Sequence, residues 1–153
     1  MNFPATRLRR LRQTIPIREM VRETILSPEN FILPLFIRAG KKIRNPIQSM
    51  PGQFQLSIDE AVREVKNAKQ IGIKSVLLFG IPEKKDEMAS QAYSQNGIIQ
   101  NTIRELKNKF PEVCVIADCC LCEYTDHGHC GVLPVTAPAT SIWRRTGVTV
   151  SAS

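Results

Sequence analysis

The residues with chemical potential are concentrated in one stretch, Asp118-Cys119-Cys120-Leu121-Cys122-Glu123-Tyr124-Thr125-Asp126-His127-Gly128-His129-Cys130-Gly131. In an extended strand, side chains alternate faces. On that reading Asp118, Cys120 and Cys122 share one face, and Cys119 and Leu121 share the other. Cys130 can return to the same place after a loop of His, Gly and polar residues. Three thiolates form a soft donor set suited to zinc. A fourth position is open to His127 or His129, which would close a structural site, or to water or substrate, which would make a catalytic one. Simpler readings stand beside these. Free cysteine is often a small buried hydrophobe, which suits Cys114 and Cys119 but not Cys122 and Cys130, whose neighbours are polar. Asp118 can cap the turn after a strand. The two histidines can be ordinary loop hydrogen-bonders.

The elements that must position this stretch are legible upstream. Phe31 to Ile37 (FILPLFI) has the length of a buried strand, with Pro34 standing against it because proline removes a ladder donor. Residues 39–56 are rich in Gly, Pro and polar residues and read as an irregular excursion or hairpin. Ser57-Ile58-Asp59-Glu60 has the form of a capping box, in which the Ser57 hydroxyl accepts from the Glu60 amide and the Glu60 carboxylate reaches back. Ile58, Ala61, Val62, Val65 and Ala68 follow at helical spacing, and Gly72 stands just past the end. Lys74 to Ile81 (KSVLLFGI) is a second strand. Gly97 to Lys109 is a second helix, with Ile98, Ile99, Ile103 and Leu106 inward, and Val113 to Ala117 is a third strand. Strand, helix, strand, helix, strand predicts an α/β fold with a parallel sheet. An open doubly wound sheet and the opening portion of a (β/α)8 barrel both fit this order, since a whole barrel typically needs about 250 residues. The C-terminal ends of such strands are where ligands bind, and the cysteine stretch follows one.

Composition narrows the class. The chain has 153 residues, 42% hydrophobic and 23% charged, as in a globular domain. No apolar run approaches the roughly 20 residues of a membrane helix, and no secretory signal is read, so the expected location is the cytoplasm with no membrane partner. The five cysteines are clustered rather than spread as a disulfide framework would be. The net charge of +7 raises nucleic acid as a partner. Much of the excess lies in Arg7, Arg9, Arg10 and Arg12, with Arg18 and Arg22 further on, and no aromatic residue interleaves them as a stacking platform. An extended arm over residues 1 to about 13, making subunit contacts rather than binding nucleic acid, is the expectation. A short helix follows from Thr14-Ile15-Pro16 through Val21.

The stretch D-x-C-x-C-E-Y-T-x-H-G-H-C-G resembles the metal-binding segment of zinc-dependent 5-aminolevulinate dehydratases (porphobilinogen synthases). R-x-R-R-L-R in the arm, I-L-P-L-F at 32–36, P-I-x-S-M-P-G at 46–52, L-F-G-I-P at 78–82 and K-D-E at 85–87 resemble the same family in the same order. The resemblance implies a (β/α)8 barrel with an N-terminal arm, in homo-oligomers, typically octamers, whose arm wraps a neighbour. It implies the condensation of two 5-aminolevulinate molecules, with loss of two waters, to porphobilinogen for tetrapyrrole (heme) synthesis. Carried onto this chain, Cys120, Cys122 and Cys130 are the zinc ligands and Asp118 an active-site aspartate. The family's two Schiff-base lysines, one in a Lys-Pro context, have no counterpart here: no Lys is followed by Pro. The resemblance runs from about Arg7 to Leu133. The expected organisation is therefore an arm and short helix over 1–30, a partial barrel of about three strands over 31–133, and a tail over 134–153 that lacks acidic residues and does not resemble the family's next helix. A chain of this kind is expected to make no porphobilinogen unaided. The alternative is a noncatalytic zinc-binding or redox module, or a subunit co-assembling with a full-length enzyme.

Overall fold

A computed structural model of the protein describes residues 9–131. The expected arm over residues 1–8 and the tail over 134–153 lie outside the described residues. The inner end of the arm, Arg10–Arg12, is a single 3-10 turn rather than extended chain. A short helix α1 follows at Ile15–Met20, with Pro16 in its first turn, where the missing amide is no loss.

Five strands form one sheet: β1 (Ile32–Arg38), β2 (Arg44–Pro46), β3 (Phe54–Leu56), β4 (Ser75–Ile81) and β5 (Cys114–Ala117). Helix α2 (Ile58–Gln70) connects β3 to β4, and α3 (Ile98–Lys109) connects β4 to β5. The spatial order is β2-β3-β1-β4-β5. The long strands β1, β4 and β5 are parallel neighbours in chain order, with Leu35 opposite Leu78 and Leu78 opposite Ala117. Since β3 lies parallel to β1 on the side away from β4, strand order alone does not separate a barrel from a doubly wound sheet; α2 and α3 both pack on one sheet face, as on a barrel wall. The excursion over 39–56 proves to be the β2–β3 hairpin, with β3 joined to β1 only at Phe36 and Ile37. Pro34 lies ahead of that pairing, where β1 has a neighbour on one side alone, and this is how the strand accommodates it.

One sheet face is dry. Leu35, Ile37, Val76, Leu78, Val65, Leu106 and Val113 form the core between strands and helices, all at most 3% exposed. The opposite face carries Pro34, Phe36, Leu77, Phe79 and Ile116; Phe36 and Phe79 stack at 5.2 Å, while Ile116 on edge strand β5 stays exposed. The helical spacing holds, with Ala61, Val65 and Ala68 buried on α2 and Ile99 and Leu106 on α3. Thr102, which apolar periodicity passes over, is also fully buried, its hydroxyl donating to the Ile98 carbonyl at 2.7 Å.

The capping box at Ser57 does not form, and no side chain caps α2. The Ser57 hydroxyl instead accepts from the Ile43 amide at 2.9 Å and donates to Asp59 Oδ1 at 2.7 Å, while Glu60 pairs with Arg63. The hairpin approach takes the oxygen that the local motif would have used. At the other end, Gly72 adopts φ +92°, open to glycine without strain, and a Cβ there would stand 2.9 Å from Pro28.

Candidate metal centre

The thiols converge, but not by strand alternation. β5 ends at Ala117; the Asp118 amide makes one further bond to the Leu78 carbonyl at 3.1 Å, and the chain then turns through residues 121–124. Both the Tyr124 and Thr125 amides donate to the Leu121 carbonyl, at 2.9 and 3.0 Å, and close that turn. The turn, not the pleat, brings Cys120 and Cys122 to one side and meets Cys130 on its return. The three sulfurs all lie within 4.8 Å of one another. A tetrahedral zinc site with Zn–S bonds of about 2.3 Å separates its sulfurs by about 3.8 Å. The donors present therefore fit a thiophilic cation after a shift of at most about an ångström.

The electrostatics show three thiols sharing a small space. The Cys122 amide pulls the Cys120 thiol down, but the Cys122 thiol, desolvation and the Cys130 thiol outweigh it and push it up to about 11. Cys130 moves the other way: the Leu121 amide and then the Cys120 and Cys122 thiols favour its thiolate. A second group overlaps the first, since Asp118 and Glu123 each bring a carboxylate oxygen within 4.8 Å of the Cys120 sulfur and of each other. Desolvation, followed by the Asp118 charge, raises the Glu123 carboxyl. Glu123 was not singled out from the sequence; the signal was its place three residues after Cys120, across a turn.

Among the described residues, no such group includes His127 or His129. The His129 amide donates to His127 Nδ1 at 3.2 Å, the two rings stack at 5.8 Å, and His127 Nε2 is buried with no partner among the described residues. Cys114 and Cys119, expected to be buried, are exposed. Cys114 lies on edge strand β5, whose outer side has no neighbour among the described residues, and Cys119 lies outside the cluster.

Beneath the thiols the loop is fixed to the sheet. Tyr124 is 7% exposed and Thr125 fully buried. The Thr125 hydroxyl donates to the His129 carbonyl at 3.0 Å, and the Asp86 amide donates to the Tyr124 carbonyl at 3.3 Å. Burial, then the Glu123 and Asp118 charges, raises the Tyr124 phenol.

Known proteins carry the same text and shape. The chain matches the sequence model of the family described as Delta-aminolevulinic acid dehydratase over residues 5–152, past Leu133, where the quoted motifs stop. Proteins named delta-aminolevulinic acid dehydratase are similar to it at 50% identity in Bacillus subtilis (87% of this chain, 41% of the relative) and 47% in Methanothermus sociabilis (87% and 41%). A third, from Ruminiclostridium josui, is 50% identical over 83% of this chain and 62% of its own length. The chain thus spans about two fifths of the length of the first two relatives and under two thirds of the third. Its fold is similar to the crystal structure of delta-aminolevulinic acid dehydratase (porphobilinogen synthase) from Toxoplasma gondii ME49 in complex with the reaction product porphobilinogen. The TM-score is 0.81 at 36% identity, over 86% of this chain and 38% of that one. A family match over nearly the whole length, with relatives near half identical and a solved member superposing on the same wall of strands, establishes that the chain belongs to the delta-aminolevulinic acid dehydratase family.

Proposed function

We propose that this chain supplies the metal-binding opening portion of a porphobilinogen synthase, the enzyme that condenses two 5-aminolevulinate molecules to porphobilinogen. The observation that carries the reading is the convergence of Cys120, Cys122 and Cys130 beyond the C-terminal end of a parallel strand, in a chain of this family. These three residues would hold zinc, which supplies Lewis acidity toward a substrate carbonyl or amine. Asp118 and Glu123 border the same space. Glu123, whose carboxyl is raised by desolvation and then by the Asp118 charge, suits proton donation, while Asp118 suits holding a substrate ammonium group.

The 153-residue chain is not expected to complete the reaction by itself. Schiff-base chemistry needs a lysine whose free amine is held against the substrate. Every lysine here, from Lys41 to Lys109, lies on the exposed surface. The homo-octamer of the family and a cytoplasmic location are part of the same proposal; no described helix is long and apolar enough to cross a membrane. The test is metal analysis of purified chain with and without Cys122→Ala, together with a colorimetric pyrrole assay. One zinc per chain, lost in the variant, with no porphobilinogen formed, is expected. Equal zinc in both proteins sinks the ligand assignment, and turnover above a metal-only blank sinks the inactivity.

A further inference from the structure

Gly80 stands inside the apolar strand β4, where a glycine weakens a strand unless something must approach closely. What approaches is Tyr124. A Cβ on residue 80 would overlap the Tyr124 hydroxyl outright, and would stand 3.0 Å from its Cζ and 2.8 Å from Ile99 Cγ1. Tyr124 in turn belongs to the turn that gathers the thiols. Its amide closes that turn on Leu121, between the Cys120 and Cys122 thiols. Around it Asp126, Gly128 and Cys130 are exposed. The Tyr124 ring, beside the buried Thr125, is therefore the main apolar anchor of a loop that is otherwise open to water.

We propose that Gly80 and Tyr124 are a positioning pair for the thiol cluster: the missing side chain on β4 is the seat of the phenol ring, and the seated ring sets the turn that converges Cys120, Cys122 and Cys130. The pair touches neither metal nor substrate and acts through the loop. Outer residues that orient metal ligands typically contribute about 10- to 100-fold to metal affinity. Only the metal arm of the test rests on the zinc reading.

The experiment uses the full chain and the variants Gly80→Ala, Tyr124→Ala, Tyr124→Phe and the double variant Gly80→Ala/Tyr124→Phe. Two quantities are read: capture of phenylarsine oxide, which bridges two neighbouring thiols without any metal, and cobalt(II) affinity by chelator competition with its thiolate charge-transfer band. Gly80→Ala and Tyr124→Ala are each expected to weaken both by roughly tenfold. Tyr124→Phe keeps the ring and is expected to change them less than about twofold, and in the double variant removal of the hydroxyl relieves the closest overlap while the Ile99 contact remains, so that part of the Gly80→Ala loss is recovered. That recovery ties the loss to the Gly80–Tyr124 contact, and far-UV circular dichroism with a thermal midpoint on each variant, expected to stay close to wild type, separates positioning from a general loss of folding. Unchanged arsenical capture in Tyr124→Ala, or no recovery in the double variant, overturns the proposal. Arsenical capture that follows the expected pattern in a chain that binds no cobalt or zinc supports the positioning pair and defeats the zinc reading.

Discussion

Cys120 and Cys119 are adjacent in sequence and opposite in circumstance: one sulfur lies within 4.8 Å of two others, while its neighbour is exposed and outside the cluster. Removing Cys120 is therefore expected to lower zinc affinity by more than about a hundredfold, beyond the usual effect of outer residues, whereas Cys119→Ala leaves it unchanged; chelator competition on the two variants checks this. The sequence shows which residue types can bind metal, and it yielded all three thiols of the cluster. Their convergence through alternation was misjudged, because alternation presumes a strand and β5 stops at Ala117. Glu123 stayed invisible because a carboxylate is commonplace until a turn folds it onto Cys120. Asp86, in the K-D-E motif, makes a second residue-scale prediction. The Ser90 hydroxyl, then the Ser90 and Met88 amides, hold its carboxyl below the usual range. A folded-state pKa below the unfolded one means stability that is fully present above the ordinary aspartate value of 3.8 and lost as pH falls through the folded value. Asp86→Asn is thus expected to lower the thermal midpoint at neutral pH, with the gap from wild type closing below about pH 4; melts across pH 2–7 measure it.

At the level of elements, the hairpin β2–β3 is locked to the start of α2 through one buried oxygen. Ser57 accepts from the Ile43 amide at 2.9 Å, and its own amide donates to the Ile43 carbonyl at 3.0 Å. Ser57→Ala leaves the Ile43 amide without its acceptor in a part-buried position, at a cost of about 1–3 kcal/mol. Urea unfolding should show a lower midpoint with little change in slope, while a loss within error would mean water replaces the hydroxyl. The helices were legible because apolar spacing survives any tertiary context: of the positions their periodicity names, Ala61, Val65, Ala68, Ile99 and Leu106 are buried, and Ile58, Val62, Ile98 and Ile103 are partly buried against the core. The capping box was not, because its local logic supposes that no other segment competes for the serine, and a hairpin distant in sequence does. Pro34 misled in the opposite sense, since its acceptability depends on where β3 joins β1.

For the molecule as a whole, the placement of the helices decides between two architectures that the alternation of elements left open. α2 and α3 cover the same face of the sheet, and the fold matches a solved member of the family, so the described residues form an arc of barrel wall rather than a sheet wrapped on both faces. Ile116 on that arc, with Ile15, Met20, Ile25, Leu26 and Phe31 toward the N-terminus, is apolar and exposed. Such surface favours association, and the chain is expected to sediment above monomer size, with the double variant Met20→Glu/Leu26→Glu shifting it toward monomer. If both proteins sediment as monomers, this surface is not sticky enough to matter. The parallel ladder carries one more consequence. β1 cannot pair with β4 until the hairpin and all of α2 lie between them, so its contacts are long-range, and long-range pairing slows folding. The apolar run of β1 therefore leaves the ribosome well before its partner, and holdase chaperones should engage that interval. In the finished sheet the same order becomes a gradient of local opening: amide hydrogens of Leu35 to Ile37 and Val76 to Leu78 exchange last, while those of Val115 to Ala117, on the edge strand, exchange soonest.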